Sequence, residues 1–222
     1  MNIIRLYDNS TSGAIVTLND TLTKNAVGKY AYTVSSVSGD EYGITAFECN
    51  TISIIFDRVQ ITLTASDSRI NVGSTMIWNF TATYAYDSAD ATLYVSIHLN
   101  DSCTKSVVGK WAFTVKSINE SQYGLSAFTS NEVIVIWDKV IFTLSVADNR
   151  ISVGDSAQIS VTAVYAYDNS PFQGSYSLND TLIKTSVGKY GYRVSGMLDE
   201  LYGLTVFESN EVWVIFRQGT CG

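Results

Sequence analysis

Few side chains in this sequence have the types and spacing that catalysis requires. The 222 residues include one histidine, His98, and three cysteines, Cys49, Cys103 and Cys221. Nucleophilic catalysis needs a histidine beside a nucleophile and an orienting acid, and no such pattern surrounds His98. No cysteine–histidine group has zinc-ligand spacing, and no glycine-rich phosphate loop occurs. The sequence therefore predicts a protein that is not an enzyme.

Four aspartates are the candidates for binding a metal: Asp57, Asp138, Asp87 and Asp168. Calcium takes about six to eight oxygen ligands, usually with several carboxylates close together, and the chain contains no Asp-x-Asp-x-Asp run. Aspartate also caps turns by accepting hydrogen bonds from nearby backbone N–H groups. We expect turn caps and no cofactor, with calcium as the alternative.

Six asparagines lie in Asn-x-Ser/Thr sequons and are candidates for glycosylation: Asn9, Asn19, Asn79, Asn100, Asn119 and Asn179. Three of them, Asn19, Asn100 and Asn179, share a Leu-Asn-Asp context. Sugar on a surface protein and a simple Asn-Asp turn both account for that context, and the sequence leaves the two open.

The elements that position these residues come in a repeat. A Val-Gly-Lys-aromatic motif begins at Val27, Val108 and Val187, so the period is about 80 residues. A period of this length indicates an array of small domains, each a folding unit. Function in such an array lies in repetition and surface more than in one active site.

The repeat predicts three modules, here called the first, second and third repeats: residues 1–56, 57–137 and 138–222. The first is partial and lacks its first strand, because Met1 aligns with Val161. The second and third are complete, and the third carries a short tail. Each join has only two residues between apolar strands, Asp57-Arg58 and Asp138-Lys139. Joins this short leave little freedom between modules, so we expect a semi-rigid rod.

Alternation of large and small residues predicts strands. Two aromatic residues and a valine alternate with smaller or polar residues in each repeat, as at Trp111, Phe113 and Val115. A period of two places such residues on one face of a strand, toward a core. Tyrosine, valine, isoleucine and threonine favour strands, and Asp, Asn, Ser and Gly clusters separate them at regular intervals. The fold class is therefore all-β, with antiparallel β-sandwich modules of about 80 residues.

Two short motifs resemble a known family. An Ile-x-Val-Gly segment begins at Ile70 and Ile151, and the stretch Tyr167–Pro171 is followed by Gly174. These resemble the immunoglobulin-like (Big or invasin-type) tandem repeats of bacterial or archaeal cell-surface proteins. The resemblance implies a secreted or surface-anchored stalk, and it implies no chemistry.

Charge and cysteine usage agree with an extracellular or cell-surface location. The net charge is −7 and the isoelectric point is about 4.6, whereas nucleic-acid binding needs a basic patch. No apolar run reaches about 18 residues, so we expect no membrane insertion. The cysteines do not recur with the repeat, which argues against a disulfide framework and leaves Cys221 as the candidate intermolecular thiol.

The function predicted from these features is that of a structural repeat in a surface stalk, coat or filament. An adhesion or glycan- or protein-binding module is one alternative, with the unrepeated Trp78 and Trp213 as the candidate patch. A self-assembling filament subunit is another, since a sandwich without its first strand exposes an edge that a further strand can fill. Expected partners are neighbouring modules, copies of the chain, or a surface glycan or protein.

Overall fold

The computed structural model describes residues 3, 4, 6 and 10–218. Among these residues it contains 20 strands and one short 3-10 helix, Thr92–Tyr94, so the predicted all-β class is confirmed. No helix in the described part of the chain has the length and apolar character needed to cross a membrane. Cys221 and Asn9 lie outside the described residues.

The chain divides by contacts into two compact units, and the dividing line passes through the second repeat. One unit comprises residues 1–62, 80–98 and 117–130, and the other comprises residues 63–79, 99–116 and 131–222. The division into three modules stays a prediction, and so does the rod.

The described part of the first repeat contains four strands: β1 Ile15–Leu18, β2 Gly28–Tyr32, β3 Val34–Ser38 and β4 Ile52–Phe56. β1 pairs antiparallel with β3, and β2 pairs antiparallel with β4. The predicted alternation holds in β2, where the side chain of Tyr32 is buried and Lys29 and Ala31 are exposed.

The second repeat contains eight strands: β5 Val59–Ala65, β6 Arg69–Asn71, β7 Trp78–Tyr84, β8 Val95–Leu99, β9 Gly109–Phe113, β10 Val115–Glu120, β11 Phe128–Ser130 and β12 Val133–Asp138. Their sheets have the strand orders β11-β5-β7, β6-β12-β9 and β10-β8. His98 is exposed between Ile97 and Leu99, as the alternation of β8 predicts.

The third repeat has the same order of strands: β13 Val140–Val146, β14 Arg150–Ser152, β15 Ile159–Tyr165, β16 Gly174–Leu178, β17 Gly188–Tyr192, β18 Val194–Asp199, β19 Phe207–Ser209 and β20 Val212–Arg217. Its sheets are β15-β13-β19, β14-β20-β17 and β16-β18. Two of its pairings, β13 with β19 and β14 with β20, are parallel. These parallel pairs were not predicted. They arise because the segment that opens the repeat, β13-β14, runs in the same direction as the segment that closes it, β19-β20.

One hydrophobic core holds the third repeat together. The opening strand β13 contributes Val140, Phe142 and Leu144, and the closing strand β20 contributes Val214 and Phe216. All five are 3% exposed or less. Because burial of each large aromatic ring removes about 150–250 Å² from water, rings such as Phe142 and Phe216 give this small module much of its stability.

Candidate inter-repeat site

The two join aspartates begin their repeats in the same local geometry. Asp138 Oδ1 accepts hydrogen bonds from the backbone N–H groups of Lys139 at 2.8 Å and Tyr167 at 2.9 Å. Asp57 Oδ1 accepts the equivalent bonds from Arg58 and Tyr86, at 2.8 and 2.9 Å. Each carboxylate therefore ties the start of its repeat to a later loop.

Asp87 and Asp168 lie in those later loops, each within a tight turn. Asp87 Oδ1 accepts the N–H of Ala89 at 3.0 Å, and Asp168 Oδ1 accepts both the N–H and the hydroxyl of Ser170. The residue after each aspartate has a positive φ, 60° at Ser88 and 57° at Asn169. This left-handed conformation is uncommon outside glycine, so the two turns share an unusual backbone shape.

An arginine of the second repeat reaches the carboxylates of the third. Arg69 is only 6% exposed, and its Nη2 donates to Asp168 Oδ2 at 2.6 Å. Its Nη1 lies 3.4 Å from Oδ2 of the fully buried Asp138. Those last two atoms are buried and make no hydrogen bond with any protein atom, so they interact as opposite charges alone.

Tyrosine rings of the third repeat surround the same guanidinium. The Arg69 Cζ atom lies 4.3 Å from the centroid of the Tyr202 ring, 5.2 Å from Tyr165 and 5.9 Å from Tyr167. A guanidinium within about 6 Å of an aromatic face is attracted by the ring quadrupole, more strongly where water is excluded. The third repeat thus forms a socket for the arginine, defined by Asp138, Asp168 and these three tyrosines.

Backbone contacts fix the strand that carries Arg69. β6 pairs parallel with β12, with Arg69 opposite Ile136. The side chain of Asn71, two residues along, accepts hydrogen bonds from the backbone N–H groups of Thr205 and Val206 at 2.7 and 2.9 Å. The strand is therefore held by the second repeat on one side and by a loop of the third repeat on the other.

The ionisable groups in the socket shift one another's pKa values. Hydrogen bonds from Ser170 and Arg69 lower the pKa of Asp168 to about 2. Burial raises the pKa of Asp138, against the opposing effect of its two backbone hydrogen bonds and of Arg69. Burial disfavours the charged form of Arg69, but the hydrogen bond to Asp168 and the attraction of the nearby acidic groups together outweigh it and raise the pKa of the guanidinium.

The calcium candidates can be compared with this geometry. Between Asp138 and Asp168 the guanidinium occupies the position that a cation would need. No group of three or more His, Cys, Asp or Glu side chains in the described ranges is arranged to hold a metal ion. At this join the carboxylates are suited to an arginine.

Arg69 was not identified as a functional residue from the sequence, and the third repeat shows why. Arg150 stands at the same place, in Asp148-Asn149-Arg150, and β14 pairs with β20 in the register that β6 has with β12. Arg150 is nevertheless exposed. The available signal was the recurring arginine after an Asp-x turn, but only the fold shows which copy is buried.

The three in-register sequon asparagines are bonded to backbone on both sides of their amides. In each, the side-chain Nδ2 donates to a backbone carbonyl. Oδ1 accepts from the backbone N–H group of the residue two positions after the one that supplies that carbonyl. The acceptor carbonyls belong to Ala31, Ala112 and Gly191, at 3.0–3.2 Å. Asn79 and Asn119 lie on β7 and β10, and their side chains are exposed, as are those of the three in-register asparagines.

Trp213 is placed on the surface of the third repeat. It is 45% exposed, and the Lys189 ammonium lies 4.5 Å from its ring centroid. Gly191 is paired with it across β17 and β20, and a Cβ atom there would lie 3.1 Å from the indole and still closer to the Glu211 carboxylate. Glycine therefore leaves room for both side chains against the sheet. Trp78, the other unrepeated tryptophan, is half-buried.

Comparisons with known proteins return matches among solved structures alone. No protein-family model and no curated protein matches the sequence. Among the matching solved structures is the D0-D1 domain of intimin, with 14% sequence identity over 68% of this chain and 96% of that chain, at a TM-score of 0.24. A similarity this low assigns no function.

Proposed function

We propose that this chain is a structural repeat of an extracellular surface protein, in which successive modules are joined rigidly enough to hold their neighbours in place. The observation that carries the proposal is the burial of Arg69, from the second repeat, among two carboxylates and three tyrosines of the third. The surface location rests on the family resemblance and the acidic composition, and surface biotinylation of the source cells tests it.

The Arg69 socket would restrain the relative motion of the second and third repeats, as a rigid spacer requires. Domains joined by short segments move relative to one another by default, unless their interface is large or apolar. A buried ion pair adds little net stability, but it strongly penalises arrangements that leave one charge unpaired. Because Asp138 is fully buried at this joint, any rotation that withdraws Arg69 leaves that carboxylate without a cation.

Distance measurement across the joint tests the proposal. A background with Cys49→Ser, Cys103→Leu and Cys221→Ser removes the native thiols, the first two by residues that the other repeats carry at those positions. Spin labels at Lys110→Cys and Ser160→Cys, both exposed, then report the separation of the second and third repeats. We expect a narrow distance distribution, which Arg69→Ala broadens.

Arg150→Ala is the matched control, since it removes an exposed arginine from the same turn of the third repeat. It should leave the distribution unchanged. A distribution that is already broad in the parent, or one that Arg69→Ala leaves narrow, would show that the joint does not set the geometry and would overturn the spacer function.

A binding function is the second candidate, and Trp213 is the observation that favours it. A half-exposed indole beside a lysine can stack on the apolar face of a sugar ring or on another aromatic group. The first repeat carries Ser53 at this position, so Trp213→Ser reproduces a natural repeat surface. Screening the chain and this variant on a glycan array tests the idea, and binding that is absent or insensitive to Trp213→Ser would exclude it.

A further inference from the structure

The outer face of the sheet β14-β20-β17 combines an exposed aromatic ring with two charged groups. Trp213 on β20 lies opposite Gly191 on β17. The tip of the indole and the carboxylate of Glu211 both lie against Gly191, where a Cβ atom would meet them. The Lys189 ammonium lies 4.5 Å from the centroid of the same indole. A ring, a carboxylate and an ammonium group are therefore neighbours on one exposed surface.

The pairing of tryptophan with glycine distinguishes the third repeat from the other two. At the same place the first repeat pairs Ala31 with Ser53, and the second pairs Ala112 with Ile134. Glycine inside a strand lowers stability relative to alanine, and it often marks a place where another group approaches the backbone closely. Here the glycine makes room for both the indole and the carboxylate of Glu211, so the two changes act together.

Exposure of this surface is a property of the repeat and not of its place in the chain. Ile134, the counterpart of Trp213, is 42% exposed although the third repeat follows the second. Lys110, the counterpart of Lys189, is exposed as well. At such a position the 45% exposed ring of Trp213 offers a flat apolar platform to a ligand from solution.

The two charged groups beside the indole can bind a ligand. In the described part of the chain the Glu211 carboxylate forms no hydrogen bond or ion pair, and the Lys189 ammonium has no acidic partner. The attraction between an ammonium group and an exposed indole is weak, so Lys189 can exchange it for a hydrogen bond. A carboxylate accepts hydrogen bonds and an ammonium group donates them. Together they suit the hydroxyl groups at the edge of a ring stacked on Trp213.

We propose that Trp213, Glu211 and Lys189 bind a neutral glucose-type pyranose, one whose ring hydroxyls are all equatorial. The proposal rests on the binding function given above as the second candidate, and it names the ligand class of that site. Such a sugar has an apolar ring face, which stacks on the indole, and it presents its hydroxyls at the ring edge. There Glu211 accepts from one hydroxyl and Lys189 donates to another oxygen, in charge-assisted hydrogen bonds.

The carboxylate of Glu211 favours a neutral sugar over an acidic one. An acidic ligand would place a second negative charge beside Glu211, with Lys189 as the one cation against the indole. A neutral hydroxyl donates to the carboxylate and needs no counter-charge. Binding of a neutral sugar should therefore change little with ionic strength, whereas binding of an acidic sugar through Lys189 would weaken as salt screens the charges.

Titration calorimetry on the full chain tests the proposal. The neutral probes are cellohexaose, laminarihexaose and maltohexaose, and the acidic probe is the hexasaccharide of galacturonic acid. We expect a glucose hexasaccharide to bind with the same affinity at low and physiological salt. Glu211→Thr, which introduces the residue of the first repeat, should weaken that binding about tenfold, because it removes a hydrogen bond to a charged group.

Two further variants complete the test. Gly191→Ala should also weaken binding, since the added Cβ displaces the carboxylate of Glu211. The matched control is Glu132→Thr, the same substitution in the second repeat, where Ile134 replaces the tryptophan, and it should leave the affinity unchanged. Thermal unfolding checks that each variant is folded, which we expect because both new residues occur at these positions in the first repeat.

The outcomes separate this proposal from the function on which it rests. Glucose binding that Trp213→Ser abolishes but Glu211→Thr leaves unchanged, or binding of the galacturonic acid probe alone, would overturn the neutral-sugar assignment and leave a binding function at Trp213 intact. Binding on the glycan array without binding of any glucose hexasaccharide would do the same. No binding to the hexasaccharides and none on the array would remove the binding function itself.

Discussion

Arg69 Nη2 lies 2.6 Å from Asp168 Oδ2, although the two residues are 99 positions apart. The contact joins a turn of the second repeat to a turn of the third, and it is the hydrogen-bonded part of a socket that also contains Asp138. Because one of its carboxylates is fully buried and the other is about one-third exposed, the two acids respond differently to substitution and to pH.

Removal of Arg69 should destabilise the protein far more than removal of Arg150. Breaking a buried ion pair by deleting one partner costs about 3–5 kcal/mol, because the other charge stays buried. An exposed arginine away from such a feature contributes within about 0.5 kcal/mol. Urea unfolding of Arg69→Ala and Arg150→Ala measures both, and equal losses would contradict the buried role of Arg69.

The contribution of Arg69 should disappear in acid. The folded-state pKa of Asp168, about 2, lies below its ordinary value of 3.8. A depressed pKa stabilises the fold above the ordinary value, and this stabilisation is lost as the pH falls from 3.8 toward 2. The raised pKa of Asp138 acts in the opposite sense, since its charged form opposes folding. The stability difference between the parent and Arg69→Ala should therefore shrink below about pH 4, and a difference constant to pH 2 would contradict this.

The amide of asparagine should replace Asp138 better than a methyl group does. Asp138→Asn retains an oxygen for the Lys139 and Tyr167 N–H groups and removes a charge that burial disfavours. Asp138→Ala leaves both donors without their partner, at a cost of about 1–3 kcal/mol. Thermal unfolding of the two variants should rank asparagine above alanine, and the reverse order would show that the two hydrogen bonds to Oδ1 do not determine stability at this position.

Sugar, if the protein carries it, should be found at Asn79 and Asn119 before Asn19, Asn100 or Asn179. A glycan on Nδ2 would replace one of the hydrogens that the last three donate to backbone carbonyls. Glycopeptide mass spectrometry of the protein from its source measures occupancy at each site. High occupancy at the three bridging asparagines would show that the turn geometry tolerates sugar.

The intermolecular thiol prediction concerns Cys221, which lies outside the described residues. Light scattering with and without reductant tests it, with Cys221→Ser as the variant and Cys49→Ser as the control. We expect covalent dimers that reductant and Cys221→Ser both abolish. Dimers that persist in Cys221→Ser would assign the thiol to Cys49 or Cys103, which are both free.

Sequence alone was enough to establish the repeat, the all-β class and the inward face of each central strand. These follow from local rules, because a period of two fixes which side chains share a face whatever the strand packs against. Thus Tyr32, Phe113 and Tyr192 are buried in their three repeats, and His98 points outward.

Tertiary structure decided which of two equivalent residues is buried. Arg69 and Arg150 occupy equivalent turns, each two residues after an aspartate and directly before an isoleucine, but Arg69 lies in a tyrosine–aspartate socket and Arg150 is exposed. Ile54 and Val214 share one register, and only Val214 is covered. Local sequence sets the direction of a side chain, but burial and ion pairing depend on segments that are far away along the chain, such as Asp168 for Arg69, 99 residues away, and no local pattern encodes how those segments pack.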